Sequence, residues 1–443
     1  MRKLKWVLLF VLLLGIGVYT QYPKLTIISG YTAKNMTSSV FVAGRSAESV
    51  VASDHASGLI SLATEQVDPE SESASSSVFG MQKRRAVYRK GLGAVLLPKD
   101  TEIPETYRTP ERRQTPSPLP YPIGHGQPAD TLFPEVDYEQ LERGVDQAFA
   151  NPDQQKTRTL AILYKNRLLT ERYAEGFGPE TPILGWSMTK SILATLYGIL
   201  EHQGRLDLLD RPEITQWKAD ARKEITYNDL LRMQSGLSWE EDYTRISDVT
   251  RMLFLSEDMT VPQIEKELVG PIGKTWYYSS GTSNLLSGLL RKHLKDDQAY
   301  LNFPYRELID RIGMYTMVLE TDLAGNFVGS SYGWASTRDW ARFGLLYLNR
   351  GKWGQDQIFD PSWIDYVTRP TDNSEEDYGA HFWLNAGGKY PEAPSDMYMA
   401  NGFEGQHVFI IPSKDLVIVR TGLAEDPDFD LNAFFREVLA AFP

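Results

Sequence analysis

The sequence predicts an α+β catalytic domain with a helical insertion, preceded by an N-terminal extension. Three observations lead there. β-Hairpin patterns stand near both ends of the stretch that begins at Tyr138, helical patterns fill its middle, and the composition is ordinary for a globular protein, with 42% hydrophobic and 23% charged residues. At roughly 150 residues per domain, 443 residues allow two to three domains, or one large catalytic domain with an extension. The balance of 46 Lys+Arg against 58 Asp+Glu gives a net charge of −12, without the basic footprint that nucleic acid requires. Cysteine is absent. That excludes disulfides, thiolate catalysis, Fe–S clusters, Cys-type zinc sites and lipid attachment through an N-terminal cysteine.

The elements follow in chain order. Met1 to Lys5 is a basic head, and Trp6 to Tyr19 is an apolar run of about 14 residues, short of the roughly 20 that span a bilayer. No A-x-A-like cleavage site follows, so residues 1–21 are expected to act as an uncleaved signal anchor. The chain after them would face the periplasm from a bacterial inner membrane. With cleavage it would be periplasmic or secreted. Residues 22–130 form the extension. Val40-Phe41-Val42 and Gly58 to Leu62 are expected as short strands, Pro69 to Ser77 as a polar loop, and Ala86 to Tyr88 with Gly93 to Leu97 as a hairpin. Pro104 to Pro128 is a proline-bearing linker or wrapped loop.

Residues 131–443 form the catalytic domain. Tyr138 to Phe149 has helical periodicity, and Thr159 to Tyr164, Lys165-Asn166-Arg167 and Leu168 to Tyr173 read as a hairpin. A long apolar helix runs from about Ser187 to His202 with Gly204 as its stop. Residues 205 to 350 are mainly helical. Val408 to Ile411 and Leu416 to Arg420 form a second hairpin, and the last helix covers about Leu431 to Ala441.

Chemistry concentrates in two places. In Ser187-Met-Thr-Lys190, a serine opens a helix near unpaired N–H groups, and a lysine three residues on shares its face. The helix is apolar nearly all round, so Lys190 is expected to be desolvated, with a lowered pKa, and able to take the Ser187 proton. A surface lysine beside an N-cap serine is the plainer reading of that motif alone. Further on, Tyr278-Ser279-Ser280 follows a Gly-containing loop and opens another apolar helix. A phenol beside a lysine there can shuttle protons in acyl transfer.

Taken together, these motifs resemble those of the serine β-lactamase and penicillin-binding superfamily, in its class C-like branch with family VIII esterases and 6-aminohexanoate-dimer hydrolases. Ser187-Met-Thr-Lys190 is similar to the S-x-x-K of that family and Tyr278-Ser279-Ser280 to its Y-x-N, with Ser280 in place of Asn. Leu230 to Leu237 resembles the segment between them. Gly402-Phe403-Glu404-Gly405-Gln406 falls where the third motif stands, with Phe403 in place of its Lys or His. Trp239 to Tyr243 resembles a loop that presents a tyrosine to substrate.

The resemblance covers about residues 130 to 443. It implies an antiparallel sheet flanked by helices, with a mostly helical subdomain. It also implies a covalent acyl-enzyme on Ser187, with Lys190 and Tyr278 moving protons. Gln406 and Gly405 would serve the oxyanion, and Ser280, Tyr243 and Phe403 the substrate. It requires no cofactor and no metal, and the partner is a small-molecule amide or ester. The alternatives are a penicillin-binding, peptidoglycan-peptide hydrolase and an inactive periplasmic binding protein of the same fold.

Other hydrolytic classes lack their motifs. Gly185-Trp-Ser-Met-Thr189 has no second glycine for a G-x-S-x-G elbow, and the six histidines contain no H-E-x-x-H. Asp339 to Arg342 is expected as a capping and ion-pair element, and His407 as a structural residue at a strand edge.

Overall fold

The computed structural model describes every residue except 1, 99, 100, 102, 104 and 105; for 2–5 and 7–21 it describes the backbone alone. The chain divides into two units. The first comprises 1–105, 240–259 and 322–325, and the second 106–239, 260–321 and 326–443.

The first unit is built on one long helix, α1 (Arg2–Phe41), laid along a four-stranded antiparallel sheet. Its strands are β1 (Ala63–Asp68), β2 (Ser73–Val78), β3 (Met81–Arg89) and β4 (Gly93–Leu97). The expected hairpin of 86–88 and 93–97 is present as β3–β4. Three other expectations are corrected. Val40 and Phe41 end α1, and Gly58 to Leu62 is a turn closing in a 3₁₀ segment before β1. Pro69 to Ser77 is a turn followed by β2, with Ser73, Ala74 and Ser76 buried.

The reason lies in a stripe of small polar residues. Ser29, Thr32 and Thr37 are fully buried because their hydroxyls bond the carbonyls of Leu25, Ile28 and Ala33 one turn back. The same hydroxyls reach the sheet at Gln82 O, Ser76 Oγ and Ala86 O. Segment 240–259 brings Phe254 against Tyr31, ring centroids 5.9 Å apart, and its carbonyl accepts from Arg84. Among the described residues no helix is long and apolar enough to cross a membrane; the side chains of 7–19, on which the anchor expectation rests, lie outside them.

The second unit centres on a six-stranded antiparallel sheet. Helix α2 (Tyr138–Phe149) leads to β5 (Thr157–Tyr164) and β6 (Arg167–Tyr173), then α3 (Met188–His202), α4 (Ser280–Leu290) and α5 (Thr337–Leu348). Strands β7 (Trp383–Leu384), β8 (Tyr398–Gly402), β9 (Gln406–Ile411) and β10 (Leu416–Gly422) follow, and α6 (Leu431–Leu439) ends the chain. The sheet order is β7-β8-β9-β10-β5-β6. Lys165 and Asn166 both have positive φ, as the two-residue turn between β5 and β6 needs.

Alternation along the strands assigns the two faces. Leu160, Ile162, Phe409, Ile411 and Ile418 pack on α2 and α6. Val408 and Val417 meet α5 so closely that a Cβ on Gly344 would lie 2.8 and 2.5 Å from their methyls. The antiparallel sheet with helices on both faces is the α+β fold the sequence predicts. The wrapped segment belongs to this unit from 106 onward, ahead of the boundary expected at 130. Arg112 pairs with Asp310, and Arg342, itself paired with Asp339, binds the carbonyls of Pro122 and Gly124.

Candidate active site

Ser187 sits where strained backbone meets the start of α3. Trp186, the residue before it, has φ +45°, a left-handed conformation costly for a bulky side chain. The strain is held from several sides. Gly185 packs so tightly on Trp340 that a Cβ would come within 2.4 Å, its N–H bonds Gly333 O, and Thr189 Oγ1 bonds Trp186 O. Residues 183–186 and 188–200 are buried, whereas Ser187 is half-exposed. Its hydroxyl engages Lys190 rather than the first-turn N–H groups.

Lys190 is 2% exposed and donates to three oxygens, each at 2.9 Å: Ser187 Oγ, Ser280 Oγ and Ser330 O. That matches the three N–H groups of an ammonium, and one of the two hydroxyls can instead donate to the single lone pair of a neutral amine, which keeps two N–H groups for the other two oxygens. The triangle therefore fits either protonation state without rearrangement. Lys190 Nζ also lies 4.9 Å from the centre of the Tyr278 ring. Tyr278 is wedged by Trp383 and Tyr378, at centroid distances of 5.3 and 5.8 Å. It precedes the N-cap of α4, Ser279, whose Oγ accepts from Thr282 N–H.

His381 ties α3 to α4. Its carbonyl accepts from Ser191 of α3, its Nε2 faces Ser283 of α4, and its Nδ1 lies 2.7 Å from Leu231 O. A carbonyl can only accept, so Nδ1 carries the proton and Nε2 accepts from Ser283. Burial pushes its pKa down to about 3, with nearby Lys190 adding to the fall. His381, Ser330, Tyr378 and Trp383 were not singled out in the sequence. Each stands far along the chain from the motif residue it supports, outside any recognisable spacing.

The third motif differs from its expected placement. A Cβ on Gly402 would come 2.1 Å from Gly185 O, so β8 runs directly beside the turn that precedes Ser187. Ala400 and Gly402 share that face by alternation, which makes Ala400, not Phe403, the β8 side chain turned toward it. Phe403 begins the β8–β9 turn, 40% exposed, with its ring edge on Trp186 at 5.8 Å. Gln406 is 2% exposed, and its Nε2 holds the carbonyls of Phe403, Glu404 and Gly422. The Gly405 carbonyl is held by buried Arg420, which also binds Ala424 O, Gln155 O and Thr157.

Ser280 is fully buried and its hydroxyl accepts from Lys190. Tyr243 belongs to the first unit, where it donates to Glu241. His407 is structural but lies on β9, inside the sheet rather than at its edge, stacked on Phe409. The structure thus brings together Ser187, Lys190, Tyr278 and Ser280, with Phe403 beside them on Trp186.

Known proteins carry similar folds. A protein of Bacillus anthracis assigned as a 6-aminohexanoate-dimer hydrolase superposes with TM-score 0.56 at 20% identity, over 65% of this chain and 79% of that one. A penicillin-binding protein homologue from Caulobacter crescentus gives 0.53 at 18%, over 68% and 95%. A family VIII carboxylesterase gives 0.51 at 16%, over 71% and 99%. At such identities the likeness is one of fold. No curated protein matches the sequence. The Beta-lactamase family profile, however, matches residues 145–439, which takes in the helix of Ser187 and Lys190, the Tyr278 loop and the β8–β10 strands. With two thirds of its length under that profile and this fold around Ser187, the chain belongs to the beta-lactamase family.

Proposed function

We propose that the protein is a serine hydrolase that cleaves a small amide or ester through an acyl-enzyme on Ser187. One observation carries the reading: an accessible serine hydroxyl 2.9 Å from a buried lysine that also lies against a tyrosine ring. Ser187 Oγ attacks the carbonyl carbon as its proton passes to the Lys190–Tyr278 pair. The same pair returns that proton to the departing amine or alkoxide. Water then attacks the acyl carbon, gives a proton to the pair, and frees the acid as Ser187 regains its hydrogen. The oxyanion is served by the Ser187 N–H at the start of α3 and by a second backbone N–H from the β8–β9 turn. The turn begins at Phe403, directly after Gly402, and Gln406 pairs across from Gly402, so the N–H groups of Phe403 and Gln406 are the two candidates.

The designations of the similar structures, a 6-aminohexanoate-dimer hydrolase and a carboxylesterase, support an amide or ester as substrate. Residues 1–21 are read as an export signal anchor, on the strength of the basic head and apolar run. The test is a fluorophosphonate probe followed by a panel of p-nitrophenyl esters, short amide oligomers and a chromogenic cephalosporin. Probe labelling that disappears in Ser187→Ala, with turnover of esters or amides, is the expected result. An unlabelled, folded protein would instead be a binding protein of the same fold.

A further inference from the structure

Helix α1 and strand β3 run side by side in the same direction. Ser29 Oγ donates to Gln82 O at 2.6 Å, and Thr37 Oγ1 to Ala86 O at 3.3 Å. Eight helical residues and four strand residues therefore cover the same span, about 12–13 Å. Followed back toward the N-terminus, the β2–β3 turn at Phe79-Gly80 comes level with about residue 25 of the helix. Tyr19, the end of the apolar run, lies about 9 Å further along it.

The two ends of this sheet differ in chemistry. At the end toward Tyr19, Phe79 is 70% exposed, Leu59 57%, Leu62 40% and Met81 38%. They are neighbours: Ala63, next to Leu62, pairs with Val78, and Val78 pairs with Met81 across the turn that holds Phe79. Exposed Lys83 follows Met81 along β3, and on α1 Tyr22 is exposed two residues before Lys24. The opposite end is polar, formed by the Pro69-Glu70-Ser71-Glu72 turn and by exposed Lys90. Apolar side chains this exposed on one end of a unit call for a partner.

We propose that this end of the first unit rests in the headgroup layer of a phospholipid bilayer, around the point where α1 enters it. The reading depends on residues 1–21 acting as a membrane anchor. A headgroup layer is about 5–8 Å deep, so with Tyr19 at the hydrocarbon boundary and an ordinary helix tilt the Phe79 tip reaches it. Tyr22 sits at the level where aromatic belts form, and the lysines meet anionic lipid. The helix fixes the occupant, because the same chain that carries the apolar tip continues into the apolar run.

The absence of cysteine makes a clean test possible. Phe79→Cys, Leu62→Cys and Lys90→Cys in the full chain are each labelled with an environment-sensitive fluorophore. They are then reconstituted into vesicles of phosphatidylethanolamine and phosphatidylglycerol containing brominated lipid. Labels at 79 and 62 should shift to the blue and be quenched several-fold more strongly than the label at 90. A chain that floats with the vesicles while 79 and 62 stay as weakly quenched as 90 overturns the proposal and leaves the anchor intact. A chain that does not float removes the anchor and the proposal together.

Discussion

Lys190 lies over the face of Tyr278, its Nζ 4.9 Å from the ring centre, while the same nitrogen donates to Ser187 at 2.9 Å. One amino group thus joins the Ser187 hydroxyl to the phenol ring, and each side chain should be indispensable for turnover. Ser187→Ala should abolish probe labelling and hydrolysis with the fold intact. Lys190→Met and Tyr278→Phe should each lower kcat/KM by about 10³-fold or more, since an unactivated hydroxyl is a poor nucleophile at neutral pH. Steady-state rates on one ester, with circular dichroism of each variant, check this; activity of Ser187→Ala within tenfold of wild type would sink the assignment.

Gly402→Ala probes the closeness of β8 to the nucleophile turn. The new Cβ would lie 2.1 Å from Gly185 O and 3.1 Å from Gln406 Cβ, so β8 or the turn must move. Such overpacking costs about 1–3 kcal/mol, and small displacements of reacting groups lower rates sharply. A fall in kcat of about 10–100-fold with a lower Tm is expected, read from kinetics and a thermal melt. An unchanged kcat would show that β8 does not set the site's geometry.

β-Lactam turnover should be weak beside ester turnover. Ala400 on the nucleophile face of β8 presents no cation for a drug carboxylate, and Ser280 is occupied with Lys190. Loss of a charged hydrogen bond alone costs about 1.5–3 kcal/mol, roughly ten- to a hundredfold in kcat/KM. Measuring a cephalosporin and a short-chain p-nitrophenyl ester on one preparation decides it. A faster cephalosporin would mean that a cation reaches the site from elsewhere.

Acid should destabilise the protein through two histidines. Burial holds both His381 and His407 at about 3, against an ordinary 6.5. Between those values the unfolded chain binds protons that the folded chain does not. Stability is therefore complete above pH 6.5 and is lost as pH falls toward 3, by about 1.4 kcal/mol per pH unit for each group. His407 faces the α2–α6 side of the sheet, away from Ser187, and its Nδ1 has no hydrogen-bond partner among the described residues. His407→Phe should flatten the fall of Tm with acidification and leave activity at neutral pH unchanged. An equally steep fall in that variant would remove His407 from the account.

Much of the second unit was legible in the sequence because its apolar runs are long and end at turn residues. Tyr138 to Phe149 carries a clear period of 3.6, the two hairpins are apolar runs joined by turns, and the Ser187 helix is apolar on every side and stops at Gly204. The first unit hid its plan. Its helix is buried through hydroxyls that bond the preceding turn, so no hydrophobic stripe marks it, and Val40-Phe41-Val42 read as a strand on β-branched composition alone. Ser187 and Lys190 were visible as a local spacing. The sequence set Phe403 at the third motif, and only the pleat of β8 shows that Ala400 shares the face of Gly402 while Phe403 begins the turn.

The first unit closes on residues that emerge late from synthesis. Arg84 waits for the carbonyl of Phe254, 170 residues downstream, and Arg89 for that of Asp322, 233 downstream. A chain made from its N-terminus exposes α1 and its sheet long before these partners arrive. The unit can mature only after segments 240–259 and 322–325 have followed, so an arrest of synthesis before residue 254 would leave an open form for proteases and chaperones to find. A chain trimmed after 105 would stay in that state for good.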